Sequence, residues 1–253
     1  MESNRRQFLQ SAAVGIAAAA TRTQAATPAL PTIKLGKYEV TRLIAGSNPQ
    51  YGYSHFNRLY DQHMRDYHTT ERVAELLKAC QANGINTWQV GYQDRTGADL
   101  ARFREQGGNL HWICLYNPES LENPSKLKEI LSLKPIAIVQ HGGLTDRIWQ
   151  AGEFQKSRDF LKKIRDTGLM VGLSTHNPAV LDRVEGEGWD VDFFMTCVYY
   201  VTRPAAEAQK MLSEVPLGEL YLPSDPPRMC AAIRQSKKTC LAFKILAAGR
   251  LAN

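Results

Sequence analysis

PIAIVQHGG, residues 135–143, is an apolar run between a proline and the triplet His141-Gly142-Gly143. A short unbroken apolar run bounded by turn residues is the signature of a strand buried on both faces, as in a parallel sheet. The strand reads as ending at His141. In a barrel of parallel strands that end faces the active site. The same stretch therefore bears on both the fold and the chemistry.

Strands and helices alternate on either side of it. Upstream, RLIAGSNP (42–49), INTWQVG (85–91) and LHWICLYN (110–117) read as strands. The helices between them are TTERVAELLKACQANG (69–84), GADLARFREQGG (97–108) and SKLKEILSL (125–133). Downstream, MVGLSTHNP (170–178), VDFFMTCVYYV (191–201) and CLAFKILAAG (240–249) read as strands. They alternate with the helices EFQKSRDFLKKIRDTG (153–168), AVLDRVEGEG (179–188) and DPPRMCAAIRQSKK (225–238). Ahead of all of these, TIKLGKYEV (32–40) reads as a hairpin turning at Gly36-Lys37. This alternation implies an α/β fold with a parallel sheet. The first turn, AGSNPQYG, lacks the GxGxxG that a doubly wound nucleotide-binding sheet would need. A (β/α)8 TIM-type barrel with an N-terminal hairpin fits the repetition and the length of 253 residues. Residues 31–253 form the barrel domain on this reading. Only seven strands are found by Asn253, so the sequence reads as truncated after the seventh strand, a fragment of a longer protein. A natural seven-stranded barrel or an open sheet is the alternative.

Residues 1–25 stand apart. Arg5 and Arg6 precede Phe8 and Leu9, and an Ala- and Gly-rich apolar stretch (12–20) leads to the small residues Ala25 and Ala26. That stretch is too short to span a bilayer and reads as a cleavable export signal. The segment resembles a bacterial twin-arginine signal, with Asn4 before the arginines and Gln10 where lysine is usual. The resemblance implies engagement by the twin-arginine translocase, a periplasmic or extracellular destination, and no membrane span in the mature protein. The net charge of +6 is spread without a basic run, which argues against a nucleic-acid partner. The five cysteines are dispersed, with no CxxC or metal-finger spacing, and read as small core residues.

A barrel places the C-terminal ends of its strands around one mouth. Those ends offer Asn48, Gln89 and Tyr92, Tyr116 and Asn117, His141, His176 with its neighbours Thr175 and Asn177, Tyr199 and Arg203, and Lys244. His141 and His176 fall on neighbouring strands, and histidine serves both acid–base chemistry and metal ligation. The two could share a metal, although no Asp or Glu falls at a strand end to complete the set. Lys244, read as lying within a buried strand, needs an ion pair or a chemical role such as oxyanion stabilisation or Schiff-base formation. Asn48, Gln89, Tyr199 and Arg203 are the candidates for substrate contact. The aromatic stretch 50–69 reads as a long first loop, suited to covering a sugar ring or to a subunit contact. Residues 202–224 read as a second excursion with a helix in AAEAQKMLSEV (205–215), a candidate lid.

IKLGKYEVTRLIAGSNP, ACQANGINTWQVG, VGLSTHNPAVLDRV and AFKILAAGR resemble the corresponding hairpin, strands and helices of the aldo/keto reductase superfamily. That family transfers hydride from a nicotinamide cofactor, NADP(H), and uses an Asp–Tyr–Lys–His tetrad. The resemblance implies that His141 is the family's histidine. Gln89 stands in place of the aspartate, Tyr92 is the candidate for the tyrosine at an altered spacing, and the third strand has no lysine. Three readings follow. One is an exported reductase-like barrel enzyme acting on a small carbonyl or sugar, with His141, His176, Lys244 and Tyr92 as its catalytic candidates. Another is a non-redox sugar lyase, isomerase or hydrolase on the same barrel. The last is a catalytically inactive barrel that binds a ligand or partner.

Overall fold

The computed structural model describes residues 29–214, 216 and 218–251. The signal at residues 1–25 lies outside them. The hairpin forms as expected, β1 (Thr32–Leu35) pairing with β2 (Tyr38–Thr41). Gly36 at its turn has φ +57°, and a Cβ there would lie 2.5 Å from Met170 Sδ, so the position needs glycine for both backbone and space.

The main sheet has six parallel strands in sequential order: β3 (Thr87–Gly91), β4 (His111–Tyr116), β5 (Ala137–Gln140), β6 (Met170–Thr175), β7 (Phe193–Cys197) and β8 (Thr239–Phe243). The segment 42–49, expected as the first strand, contributes only a bridge, Ala45 to Trp88. Two hydrogen bonds hold it: Ala45 N to Thr87 O, and Gln89 N to Ala45 O. The fold is thus α/β with a parallel sheet curled into part of a TIM-like barrel; an eight-stranded barrel is not seen among the described residues.

Helices connect consecutive strands and cover the outer face. They are α2 (Thr70–Ala82), α3 (Thr96–Glu105), α4 (Leu127–Ser132), α5 (Gly142–Gln150) with α6 (Gln155–Arg165), α7 (Pro178–Gly186), and α8 (Ala205–Leu212) with α9 (Asp225–Gln235). A further helix, α1 (Arg58–Tyr67), occupies the stretch expected as a long loop; Asn57 caps it and none of its residues is buried. Two helices are thus new relative to the sequence reading, α1 and α5. Five strands end earlier than expected, at Tyr116, Gln140, Thr175, Cys197 and Phe243.

Strand periodicity sorts the core into two layers. Trp88, Val90, Trp112, Cys114, Tyr116, Ile138, Val171, Leu173 and Phe194 face the helices. Ile113, Ala137, Val139, Phe193 and Met195 face the inside of the curl, where Leu35 and Val40 of the hairpin close its lower end. The inside is tightly filled: a Cβ on Gly172 would lie 2.7 Å from Val139 Cγ2 and 2.8 Å from Phe193 Cζ. Filling of this kind makes the lumen a core rather than a pore and leaves the chemistry to its upper end. The curl also brings distant parts of the chain together there. Arg250, beyond β8, donates to the His55 carbonyl at 3.0 Å and lies over the Phe56 ring at 4.3 Å.

Candidate functional site

The upper end of the curl collects the polar groups. His141 does not close a strand; it is the N-cap of α5, with extended backbone angles, and its NH still bonds to Tyr116 O. Its ring is half-buried, and Nδ1 is sealed from solvent without a hydrogen-bond partner. Burial first, then the neighbouring His176, Lys244 and Arg147, push its pKa down to about 4. His141 is therefore a neutral imidazole at pH 7.

His176 follows β6 and is 6% exposed. Its Nδ1 lies 2.8 Å from Asp146 Oδ2, and its backbone NH donates to the same oxygen at 3.1 Å. Asp146, on α5 and 1% exposed, also accepts from the Thr175 hydroxyl and from the Thr202 hydroxyl at 2.7 Å. The Asp146 carboxylate accepts from these donors, so Nδ1 of His176 carries a proton, and in the neutral ring Nε2 is the free acceptor. The sequence reading found no acidic residue at the strand ends. The acid is present, but it arrives from the helix that was not anticipated. Five positions beyond His141, a little over one turn into α5, Asp146 reaches the neighbouring strand's histidine.

The paired glycines explain themselves at this point. A Cβ on Gly142 would lie 3.0 Å from His176 Cε1 and 2.9 Å from Ser174 Oγ; one on Gly143 would lie 3.2 Å from His141 Cε1. Each glycine lets one imidazole rest against the backbone of the first turn of α5.

The other candidates separate. Lys244 is at the end of β8, with φ +56°, rather than inside the strand. It makes no hydrogen bond or ion pair among the described residues, and its ammonium lies 5.5 Å from the centre of the Phe243 ring. Phe243 in turn meets the His176 ring edge-on at 5.6 Å. Gln89 keeps its place on β3, and its Nε2 is buried without a partner. Tyr199 is 5% exposed and packs with Cys197, Val198 and Ala247, its ring 5.1 Å from Tyr221. Burial, the larger effect, pushes the Cys197 thiol up to about 12, so it is not a nucleophile at neutral pH.

Tyr92 packs in the helix–sheet layer, and Arg203 is held in an ion pair. Tyr92 continues the outward-facing row Trp88, Val90 and packs edge-on to Tyr116 in the helix–sheet layer, with ring centres 6.5 Å apart. Burial raises its hydroxyl pKa, which makes it a poorer proton donor. Arg203 is withdrawn from any ligand. Its side chain is 1% exposed, clamped to Asp225 Oδ1 at 2.5 Å and to Glu207 at 3.2 Å. Asp225 also accepts from Tyr200 N at 3.2 Å, so the pair fixes the turn that presents Thr202 to Asp146.

Asn48 is exposed and donates to His55 Nε2 at 3.0 Å, while His55 Nδ1 lies 2.8 Å from Glu219 Oε1. Burial raises the Glu219 pKa, but the His55 and Tyr221 hydrogen bonds and the charges of His55 and Lys244 outweigh it and bring it to about 2. This chain of contacts ties the first loop to the segment after α8. It is a structural tie at the rim, and Asn48 is engaged in it.

Of the tetrad that the resemblance implies, Gln89 stands at the aspartate's place and Tyr92 packs in the helix–sheet layer beside Tyr116. No group of three His, Cys, Asp or Glu converges as a metal site among the described residues. Among them too, no helix is long and apolar enough to cross a membrane. No protein-family model matches the chain, and no curated protein matches it.

Proposed function

We propose that this chain is an exported barrel enzyme that performs acid–base chemistry on a small carbonyl compound or sugar, as an isomerase or lyase. The observation that supports this is the Asp146–His176 dyad, with bare Nε2 at the mouth beside a neutral His141. His176 Nε2 takes a proton from a carbon next to the substrate carbonyl, or from a hydroxyl. Asp146 holds the ring and stabilises the imidazolium that forms. The neutral imidazole of His141 and the ammonium of Lys244 face the oxygen on which negative charge develops. His176 then returns the proton to the neighbouring atom, so the net reaction needs no oxidant or reductant. Export through the twin-arginine translocase belongs to the same proposal and rests on residues 1–25.

A reductase reading draws on one position, His141 at the end of its strand, where the aldo/keto reductase superfamily has its histidine. Hydride transfer would need a proton donor that Tyr92 is not placed to supply. The two readings separate in deuterium oxide. Purified protein incubated with a panel of keto sugars is expected to wash deuterium into the position next to the carbonyl without nicotinamide, and His176→Gln is expected to lose this by at least about 100-fold. Carbonyl reduction that appears only on adding NADPH, with no exchange in its absence, would overturn the proposal in favour of the reductase.

A further inference from the structure

We infer that α1 is a dimerisation helix, which packs antiparallel against α1 of a second copy of this chain across a two-fold axis. The inference is independent of the acid–base reading of the mouth.

α1 stands on the body of the protein by one edge. Asp61 accepts from Ser54 N at 2.8 Å and from Ser54 Oγ at 2.6 Å. A Cβ on Gly52 would lie 2.6 Å from Asp61 O and from Arg65 Cγ. Asp61, Met64 and Arg65 thus form the seated edge. The opposite face points to solvent, and it is the apolar one. Phe56, Leu59, Tyr60, His63 and Tyr67 recur at steps of three and four, which places them in one stripe. Leu59 is 83% exposed, and the rings of Tyr53, Phe56, Tyr60 and Tyr67 are each about half exposed. Phe56 and Tyr60 have ring centres 6.1 Å apart, so the stripe is continuous across the helix start. α1 buries none of its residues and so gains little tertiary packing. Helices shorter than about 12 residues are marginal by themselves in water. A cover over the apolar face supplies the missing burial.

The size of the stripe suits a second copy. A Phe or Tyr side chain presents roughly 200 Å² in full, so each half-exposed ring offers roughly 100 Å². With Leu59 the stripe and Tyr53 offer roughly 500 Å². An interface of standard size buries about 800 Å² on each copy, about 60% of it apolar, which is the same amount.

The charges select both the copy and its direction. Arg58 opens the helix and Asp66 lies in its last turn, and both are exposed. Asp66 accepts from Gln62 of the same helix at 2.6 Å. Each of these charges stands at the unfavourable end of its own helix dipole, a cation at the N-terminus and an anion at the C-terminus. An antiparallel copy reverses this: Arg58 meets Asp66 and the C-terminal end of the other α1, twice across the axis. In such a pairing Phe56 falls opposite Tyr67, and Tyr60 opposite His63. A helix that lies on a lipid surface carries an excess of Lys and Arg on its polar face. Here Arg58 and Arg65 are balanced by Asp61 and Asp66, so a second copy fits better than a membrane.

The test is sedimentation equilibrium of the full chain over a range of concentrations. Interfaces of this size hold in the micromolar range or tighter, so a dimer is expected at about 50 µM. Leu59→Glu, a change at a solvent-facing position, is expected to weaken association at least about 30-fold, with an unchanged far-UV circular dichroism spectrum. Arg58→Asp and Asp66→Arg each set like charges opposite one another and are expected to weaken it at least about fivefold, while the double variant recovers most of that loss. A monomer at every concentration up to about 200 µM would overturn the inference. A dimer that Leu59→Glu leaves intact, or a double variant no tighter than the single ones, would do the same. A monomer that binds phosphatidylglycerol vesicles through Leu59 would overturn it in favour of a lipid surface.

Discussion

Replacing His141 by glutamine should remove a specific part of the protein's pH dependence. In the folded chain the imidazole has a pKa of about 4, set first by burial and then by the neighbouring His176, Lys244 and Arg147; an unfolded histidine titrates near 6.5. The folded value is the lower one, so the unfolded chain takes up the proton first as the pH falls. Stability associated with His141 is therefore fully present above about pH 6.5 and is lost progressively toward pH 4. Between pH 7 and pH 5 the loss amounts to about 2 kcal/mol for this one group. Urea unfolding at the two pH values, for the wild type and for His141→Gln, isolates the contribution. The wild type is expected to lose about 2 kcal/mol more than the variant across that interval. Parallel losses in both proteins would refute the account of His141 as an enclosed neutral ring.

Three further substitutions follow, two in the surroundings of the site and one as a control. Gly142→Ala would bring a methyl to 2.9 Å from Ser174 Oγ and 3.0 Å from His176 Cε1, so the ring must move. A cost of about 1–2 kcal/mol in urea unfolding and an exchange rate lower by about tenfold are expected. Gly186→Ala in α7, where nothing lies within 4 Å, should be neutral or slightly stabilising. Arg203→Met breaks the clamp on Asp225 and leaves a carboxylate that is 3% exposed without its partner. A loss of about 3–5 kcal/mol in thermal or urea unfolding is expected, and a loss below about 1 kcal/mol would show the pair to be dispensable.

The apolar runs made the fold legible. Ile136–Val139 and Phe193–Cys197 are buried without interruption, and each strand expected between 85 and 201 is present. The helices α1 and α5 were hidden for different reasons. In α1 the aromatic residues and histidines suggested a loop, but Asn57 caps a helix whose apolar side chains remain exposed. In α5 two glycines, poor helix formers, stand at the first positions, where backbone geometry rather than propensity is needed. That omission carried over to the site. Read as a helix, GGLTD puts Asp146 back toward the neighbouring strand end, and the dyad follows; read as a loop, it conceals the acid. Strand parity places Tyr92 with Trp88 and Val90, in the row packed against the helices. The partner of Arg203, Asp225, lies 22 positions away, and nothing local in the sequence announces it.

The central claim is that Asp146 fixes His176 with its proton on Nδ1 and leaves Nε2 free to accept one. Side-chain 1H–15N correlation spectra of the 15N-histidine-labelled protein at pH 7 read this directly. The account predicts a slowly exchanging proton on Nδ1 of His176, an Nε2 with the shift of an unprotonated nitrogen, and loss of this pattern in Asp146→Ala. A His176 protonated on Nε2, or a pattern unchanged in Asp146→Ala, would contradict it.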